Sequence, residues 1–154
     1  MRTTIRIILI AILLLILLGR FVPPDLSNPP INPAATFEAV AKPNPAAAAV
    51  LQRACYDCHS NRTVWPWYSR VAPASWLVAG DVKEGRAHLN LSEWANYGSE
   101  MAAEKLRGIC NEAKSGAMPL WQYRLIHPQA RLSADDVNAL CAPTAAGTAA
   151  AVRR

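Results

Sequence analysis

Two cysteines and a histidine lie close enough in this chain to act on one ligand: Cys55, Cys58 and His59. Residues three apart lie on one face of a helix, so both thiols can reach the same flat molecule. Each thiol can add to one vinyl group of a haem, and the adjoining imidazole can then bind the iron. Cys-x-x-Cys-His is the attachment pattern of c-type haem and is far more specific than two cysteines alone. The motif predicts one covalent haem c with His59 as the proximal iron ligand.

Two other uses of paired cysteines fit this sequence less well. A thioredoxin-like redox pair would follow a strand in a βαβ unit, whereas an alanine-rich, helix-like segment precedes Cys55. A zinc site would need two more ligands at suitable spacing, but Cys110 and Cys141 are single cysteines. In an oxidising compartment these two spare cysteines favour a disulfide, and we predict that they form one. The alternative is two separate buried thiols.

The second axial ligand of the iron has several candidates. Met118 is preferred because it follows the helix-stopping Gly116, and a loop residue this far from His59 can fold over the opposite face of the haem. Met101 lies within a helical pattern and is expected in the core. His88 or His127 would give two imidazole ligands, and an open position is the remaining alternative. Methionine raises the reduction potential relative to a second imidazole.

Helical signals surround these residues between positions 44 and 143. Four helix starts can be read from capping residues and prolines, at Asn44-Pro45, Pro73, Ser99 and Ser133. Gly116 and Pro143 are typical stops. No stretch alternates convincingly with a period of two, so we predict an all-α domain.

The N-terminus carries an export and membrane signal. Thirteen apolar residues, Ile7 to Gly19, follow Arg2 and Arg6 and precede Arg20, and the residues after the run match a cleavage site poorly. Thirteen residues are short of the roughly 20 that a spanning helix needs, but flanking arginines can snorkel. We predict an uncleaved signal anchor over residues 1–22, with a cleaved signal peptide as the alternative. The positive-inside rule then places the haem domain on the periplasmic side of the cytoplasmic membrane.

Composition divides the rest of the chain. Seven of the twelve prolines lie between Pro23 and Pro45, which predicts an extended linker over residues 23–43 that holds the domain off the membrane. Residues 44–143 form the one candidate domain, and residues 144–154 are expected to be a disordered tail. The net charge of +5 comes from five arginines near the two termini, so residues 21–152 are neutral. Without a basic stripe, we expect no nucleic-acid partner.

Further sequence motifs, in addition to the two cysteines, are typical of a known group of proteins. Nine segments carry this resemblance: Cys55–Asn61, Trp65–Tyr68, Ser75–Val78, Asp81-Val82, Gly85-Arg86, Leu89–Trp94, Met118–Tyr123, His127-Pro128 and Ala130–Ser133. Together they resemble the bacterial haem-binding domain family of small, exported, cytochrome c-like proteins, over roughly residues 48 to 142. The resemblance implies a cytochrome c-like helical fold, one covalent haem and electron transfer with a redox partner protein. We therefore expect an electron carrier and not an enzyme, with a haem-based ligand sensor or a peroxidase-like enzyme as the alternatives.

The aromatic and arginine side chains invite more specific roles. The aromatic residues are expected to pack round the porphyrin, and they are Trp65, Trp67, Tyr68, Trp76, Trp94, Trp121 and Tyr123. Four arginines could pair with the haem propionates, and the sequence does not choose among Arg70, Arg86, Arg124 and Arg131.

Overall fold

The computed structural model describes residues 2–19 and 21–142. In these residues the regular secondary structure is helical, without a strand, which confirms the all-α prediction. The α-helices of this part are α1 Arg2–Gly19, α2 Phe37–Ala41, α3 Pro45–Ala54, α4 Tyr56–His59, α5 Ala74–His88, α6 Ser99–Ser115, α7 Trp121–Ile126 and α8 Ala134–Cys141. Short 3-10 turns lie at Pro33–Ala35, Trp67–Arg70, Trp94–Asn96 and Pro128–Ala130.

Three helices begin where their capping residues predict. The Asn44 side chain accepts a hydrogen bond of 2.8 Å from the Ala47 N–H at the start of α3. Ser133 and Asp136 form a reciprocal capping box at the start of α8. Pro73 directly precedes α5. These local signals place the ends of the helices that surround the cysteine motif.

The boundaries of α6 and α8 agree with the sequence within a residue or two. The capping position of α6 is Gly98, and Ser99 is its first helical residue. Gly116 ends this helix in the left-handed region, at φ 71°, where a residue without Cβ is favoured. The last helix ends at Cys141, while its predicted stop, Pro143, and the predicted tail lie outside the described residues.

The linker predicted for residues 23–43 is wrong in its second half. Phe37 and Ala41 of α2 are buried in the main hydrophobic core, and the Phe37 ring packs edge-on against Trp94 with centroids 4.6 Å apart. The Phe37 N–H donates to the Leu91 carbonyl over 2.8 Å. Prolines exclude a helix only where they stand, and the proline-free stretch after Thr36 forms a short capped helix. The folded domain therefore begins before residue 44.

The first half of the proline-rich segment is extended, as predicted, but it lies against the domain. The Arg86 guanidinium donates to the Asn28 side chain over 2.6 Å and to the Ser27 carbonyl over 3.4 Å. The Asn61 side chain donates to the Pro30 carbonyl over 3.2 Å. Proline removes N–H donors but leaves carbonyl acceptors, which side chains of the domain use. The expectation of a spacer that holds the domain away is therefore wrong.

The N-terminal helix α1 is apolar and meets the rest of the described chain only near its C-terminal end. Its 18 residues have a mean hydropathy of 2.3, and none of them is buried. By length and composition it could cross a membrane.

A disulfide joins the C-terminal parts of α6 and α8. Cys110 and Cys141 are bonded, with their Cα atoms 4.8 Å apart. The two helices also pack against each other, and Leu140 is buried beside them in the core. The bond closes a loop across 31 positions of sequence.

Replacing Cys110 and Cys141 together by Ala is expected to lower the free energy of unfolding by about 3–4 kcal/mol, because the unfolded chain regains the freedom that the bond removes. Urea unfolding of the variant and the wild type measures this difference. Alkylation of the denatured, unreduced wild type provides the control, and two freely labelled thiols at these positions would contradict the disulfide.

Candidate functional site

The cysteine motif lies on a single helical turn between α3 and α5. The N–H groups of Cys58 and His59 both donate to the Cys55 carbonyl, over 3.2 Å and 2.9 Å. The turn separates the two cysteines by three residues, but their surroundings differ: Cys55 packs against the main hydrophobic core, while Cys58 lines a cavity. Neither cysteine is in a disulfide, and both are half-buried. The structure thus presents two free thiols and an imidazole from one short element.

Both thiols of the motif are poor thiolates. Burial raises the pKa of Cys55 to about 12, with a smaller contribution from the neighbouring Cys58. Burial also raises the pKa of Cys58 to about 12, helped by the carboxylates of Asp57 and Asp81. A dithiol redox pair needs one cysteine with a lowered pKa. The surroundings of this pair therefore disfavour thioredoxin-like chemistry.

The hydrogen bonds of His59 determine which of its nitrogens is free. Its Nδ1 lies 2.9 Å from the Gly85 carbonyl oxygen and 3.2 Å from that of Leu89. Carbonyl oxygens only accept, so Nδ1 carries the proton and Nε2 keeps its lone pair. Burial lowers the pKa of His59, which keeps the imidazole neutral at neutral pH. A neutral imidazole with Nδ1–H bonded to a carbonyl is the arrangement of a metal-ligating histidine.

The helix α5 approaches the motif closely at Gly85. A Cβ at this position would lie 2.6 Å from the Cys58 carbonyl oxygen and 3.2 Å from the Cys58 Cβ. Only glycine therefore lets the helix pack here without displacing the motif. The same close packing brings the Gly85 carbonyl within hydrogen-bond reach of His59.

A cavity of about 300 Å³ adjoins Cys58. Its apolar wall is formed by α5, α7 and the loop after the motif, and includes Val64, Leu77, Val78 and Ile126. A second cavity, of about 420 Å³, lies between the proline-rich segment and α5 and is not lined by the motif. The apolar wall beside a reactive thiol suits a flat hydrophobic ligand that is attached there.

A chain of hydrogen bonds forms the polar wall of the same cavity. The Tyr123 hydroxyl donates to Asp57 Oδ2 over 2.8 Å, and the Tyr123 ring stacks on His127 with centroids 4.2 Å apart. The His127 Nε2 lies 2.6 Å from the Tyr68 hydroxyl. Burial raises the pKa of Tyr123, with the Asp57 hydrogen bond adding to it. These contacts connect α7 directly to the cysteine motif.

A comparison with protein families decides which cofactor this arrangement serves. The haem-binding domain family matches residues 13–145, which is most of the chain. The chain belongs to this haem-binding domain family. Haem is therefore its cofactor, as the motif predicted. No curated protein and no solved structure matches the chain. The family match begins well before residue 44, in agreement with the packing of α2 and the proline-rich segment on this haem-binding domain.

The residues around the motif fit a haem. The motif offers a haem two unpaired thiols and a neutral imidazole with a free Nε2, and Cys58 adjoins an apolar cavity. Cys55, Cys58 and His59 would hold it.

The candidates for the second iron ligand differ in their surroundings. Met118 lies in the loop between α6 and α7, as predicted, and its side chain is partly exposed. His127 has both ring nitrogens engaged by other side chains, and His88 is exposed and pairs with Glu84 over 3.8 Å. Met101 is 50% exposed, so the expectation that it belongs to the core is wrong. Ligation by Met118 stays a prediction.

The structure gives Arg86 a role that the sequence did not suggest. Its guanidinium donates to the Ser60 carbonyl over 2.9 Å and to the Thr63 hydroxyl over 2.8 Å, besides the proline-rich segment. Four of its hydrogen bonds thus hold the loop after the motif to the segment before the domain. Arg86 therefore links the loop after the motif to the proline-rich segment.

Five of the seven aromatic residues expected around the porphyrin separate into three groups. Trp94 is buried in the main core, while Tyr68 and Tyr123 line the cavity beside Cys58. Trp67 and Trp121 are largely exposed. Sequence reasoning gave all seven aromatic residues the same role, because the residue type alone does not indicate whether a side chain lies in the core, at the cavity or on the surface. It also missed Asp57 within the motif, whose bond to Tyr123 joins two segments 66 residues apart.

Proposed function

We propose that this protein is a mono-haem c-type cytochrome domain, tethered to the cytoplasmic membrane, that carries electrons on the periplasmic side. The observation that carries the proposal is the Cys55-x-x-Cys58-His59 turn with the His59 Nδ1 proton held by backbone carbonyls. The motif alone would allow several chemistries. The raised thiol pKa values disfavour a dithiol redox pair, and the adjacent neutral His59 favours attachment of a haem at the two cysteines.

Each residue of the motif has a separate task in this proposal. Cys55 and Cys58 would hold the cofactor through thioether bonds to its two vinyl groups. The His59 Nε2 would supply a lone pair to the iron. The Gly85 and Leu89 carbonyls keep the imidazole ring in place and increase its basicity through the Nδ1 proton. When bound, haem supplies a one-electron couple at its iron.

The environment of the site supports electron transfer. Leu77, Val78 and Ile126 give one side of the cavity an apolar lining against which a flat hydrophobic group can pack. Low local polarity and a methionine ligand both favour a reduced iron with less positive charge. Met118 is the ligand that we propose for this role, since His88 pairs with Glu84 and both ring nitrogens of His127 are hydrogen-bonded to other side chains.

The location in the membrane follows from the N-terminal helix. Arg2 and Arg6 precede its apolar run, and arginines at this end favour the cytoplasmic side. The haem domain would then lie outside the cytoplasm, where c-type haem is attached and where the disulfide is stable.

An optical spectrum of the purified full-length protein, taken oxidised, reduced and reduced under carbon monoxide, tests this proposal. We expect a c-type pyridine haemochrome, reversible one-electron reduction and no change on adding carbon monoxide. A colourless protein from a host that matures c-type cytochromes would contradict covalent haem binding. Rapid carbon monoxide binding would instead indicate an open or displaceable ligand, as in a sensor or a peroxidase.

Replacing Met118 by Ala is expected to abolish the methionine–iron charge-transfer band of the oxidised protein and to lower its reduction potential, because the thioether ligand is lost. Absorption spectroscopy and redox titration measure both effects. Met101→Ala is the matched control, since Met101 is also a methionine with a half-exposed side chain. If the band survives in Met118→Ala, Met118 is not the ligand.

A further inference from the structure

The end of α1 packs against the haem-binding domain next to a set of exposed apolar side chains. The Trp76 Nε1–H donates to the Val22 carbonyl over 2.9 Å, and a methyl group at Gly19 would collide with the Ala72 side chain. The N-terminal end of α5 therefore lies where the apolar helix ends.

The exposed side chains at this junction form one patch, which we call the anchor-side patch. Its members are Phe21, Val22, Val71 and Trp76, with exposed fractions of 84%, 67%, 39% and 36%. Trp76 bonds the backbone of Val22, and Gly19 lies against Ala72, the residue after Val71, so all four residues belong to the junction between α1 and the domain. Apolar side chains grouped on a surface mark a binding face.

The length of the apolar run indicates what covers this patch. A helix rises 1.5 Å per residue, so the thirteen residues from Ile7 to Gly19 extend for about 20 Å. The hydrocarbon core of a bilayer is about 30 Å thick. With Arg2 and Arg6 at the inner surface, the helix ends before the outer surface is reached. A short span draws the residues that flank it toward the bilayer.

We propose that the anchor-side patch lies in the outer interface of the same bilayer that α1 crosses, so that the domain rests on the membrane. This inference depends on the proposed membrane span of α1. Tryptophan is enriched at this depth because its indole combines an apolar ring with one N–H group. Arg70, exposed next to Val71, can pair with anionic headgroups. The bilayer surface would hold α5 close to the membrane, and with it the haem motif that α5 contacts.

Photocrosslinking of the full-length, haem-loaded protein tests the proposal. The protein is reconstituted in vesicles of phosphatidylethanolamine and phosphatidylglycerol that contain a phospholipid with a diazirine near the top of its acyl chain. Mass spectrometry then maps the labelled residues. We expect labels in α1 and also at Val71 and Trp76, and none at Val40, an exposed apolar residue of α2 that serves as the control.

Two variants sharpen the result. Val71→Asp is expected to reduce labelling of the segment 70–77 by roughly fivefold, while the labelling of α1 stays unchanged. Val40→Asp, its matched control, should alter neither. Labels confined to α1 and the two residues after Arg20 would overturn the docking of the domain while leaving the span intact. Absence of labels from α1 itself would overturn the span, and with it the membrane tether of the proposed function.

Discussion

Replacing Cys55 and Cys58 together by Ser should yield a protein whose haem is fully extracted by acidified acetone, whereas the wild type keeps its haem through the same treatment. The hydroxyl of serine cannot form the thioether bonds that we propose for these two positions. Haem staining of a denaturing gel measures the difference, and we expect complete loss of the stained band in the double variant.

The same chain provides a matched control for this experiment. Cys110 and Cys141 are also two cysteines, but they are bonded to each other and join α6 to the end of α8. Replacing them by Ser should leave the haem stain intact while lowering stability. If the Cys55→Ser/Cys58→Ser protein keeps its haem through denaturation, then attachment is not through this motif.

Gly85→Ala is expected to have the second largest effect, on both haem content and stability. The new Cβ would lie 2.6 Å from the Cys58 carbonyl oxygen, which belongs to the backbone and cannot rotate away. Relief requires α5 or the motif to move, at a cost of about 1–3 kcal/mol. Such a movement would also lengthen the hydrogen bond that holds the His59 Nδ1 proton. Thermal unfolding and the ratio of haem to protein measure the two effects.

Gly80→Ala, in the same helix, is the control for this prediction. Apart from its chain neighbours and the nearby backbone of α5, no described atom lies within 4 Å of a Cβ built at Gly80. Alanine there should stabilise the protein by about 0.5–1 kcal/mol, because glycine is a poor helix former. If Gly85→Ala and Gly80→Ala stabilise the protein equally, then the contact between α5 and Cys58 does not require glycine at position 85.

The helices illustrate what local sequence can predict. The starts of α3 and α8 depend on side chains that cap the backbone within three residues, so Asn44 and Ser133 could be assigned without a structure. The linker could not be assigned in the same way. Whether Phe37 is buried depends on Trp94, which is far away in sequence.

The haem site follows the same division. The residues expected to hold the cofactor could be named from the sequence, because Cys55, Cys58 and His59 are adjacent and their spacing carries the chemistry. Nothing in the sequence indicated that Gly85 and Leu89 would provide the carbonyls for His59. Every residue has a backbone carbonyl, so the sequence cannot indicate which carbonyls will accept a hydrogen bond from His59. The need for glycine at position 85 becomes apparent only when α5 is seen to pack against the motif.

The amino-acid sequence by itself determined the all-α class, the cofactor, the motif that would attach it and the apolar N-terminal helix. Each of these depends on residues that are neighbours along the chain. Only the tertiary structure decided that the proline-rich segment packs on the domain, which nitrogen of His59 is free and where the end of α1 meets the domain. Those features arise from contacts between distant segments, and these contacts form only when the chain has folded.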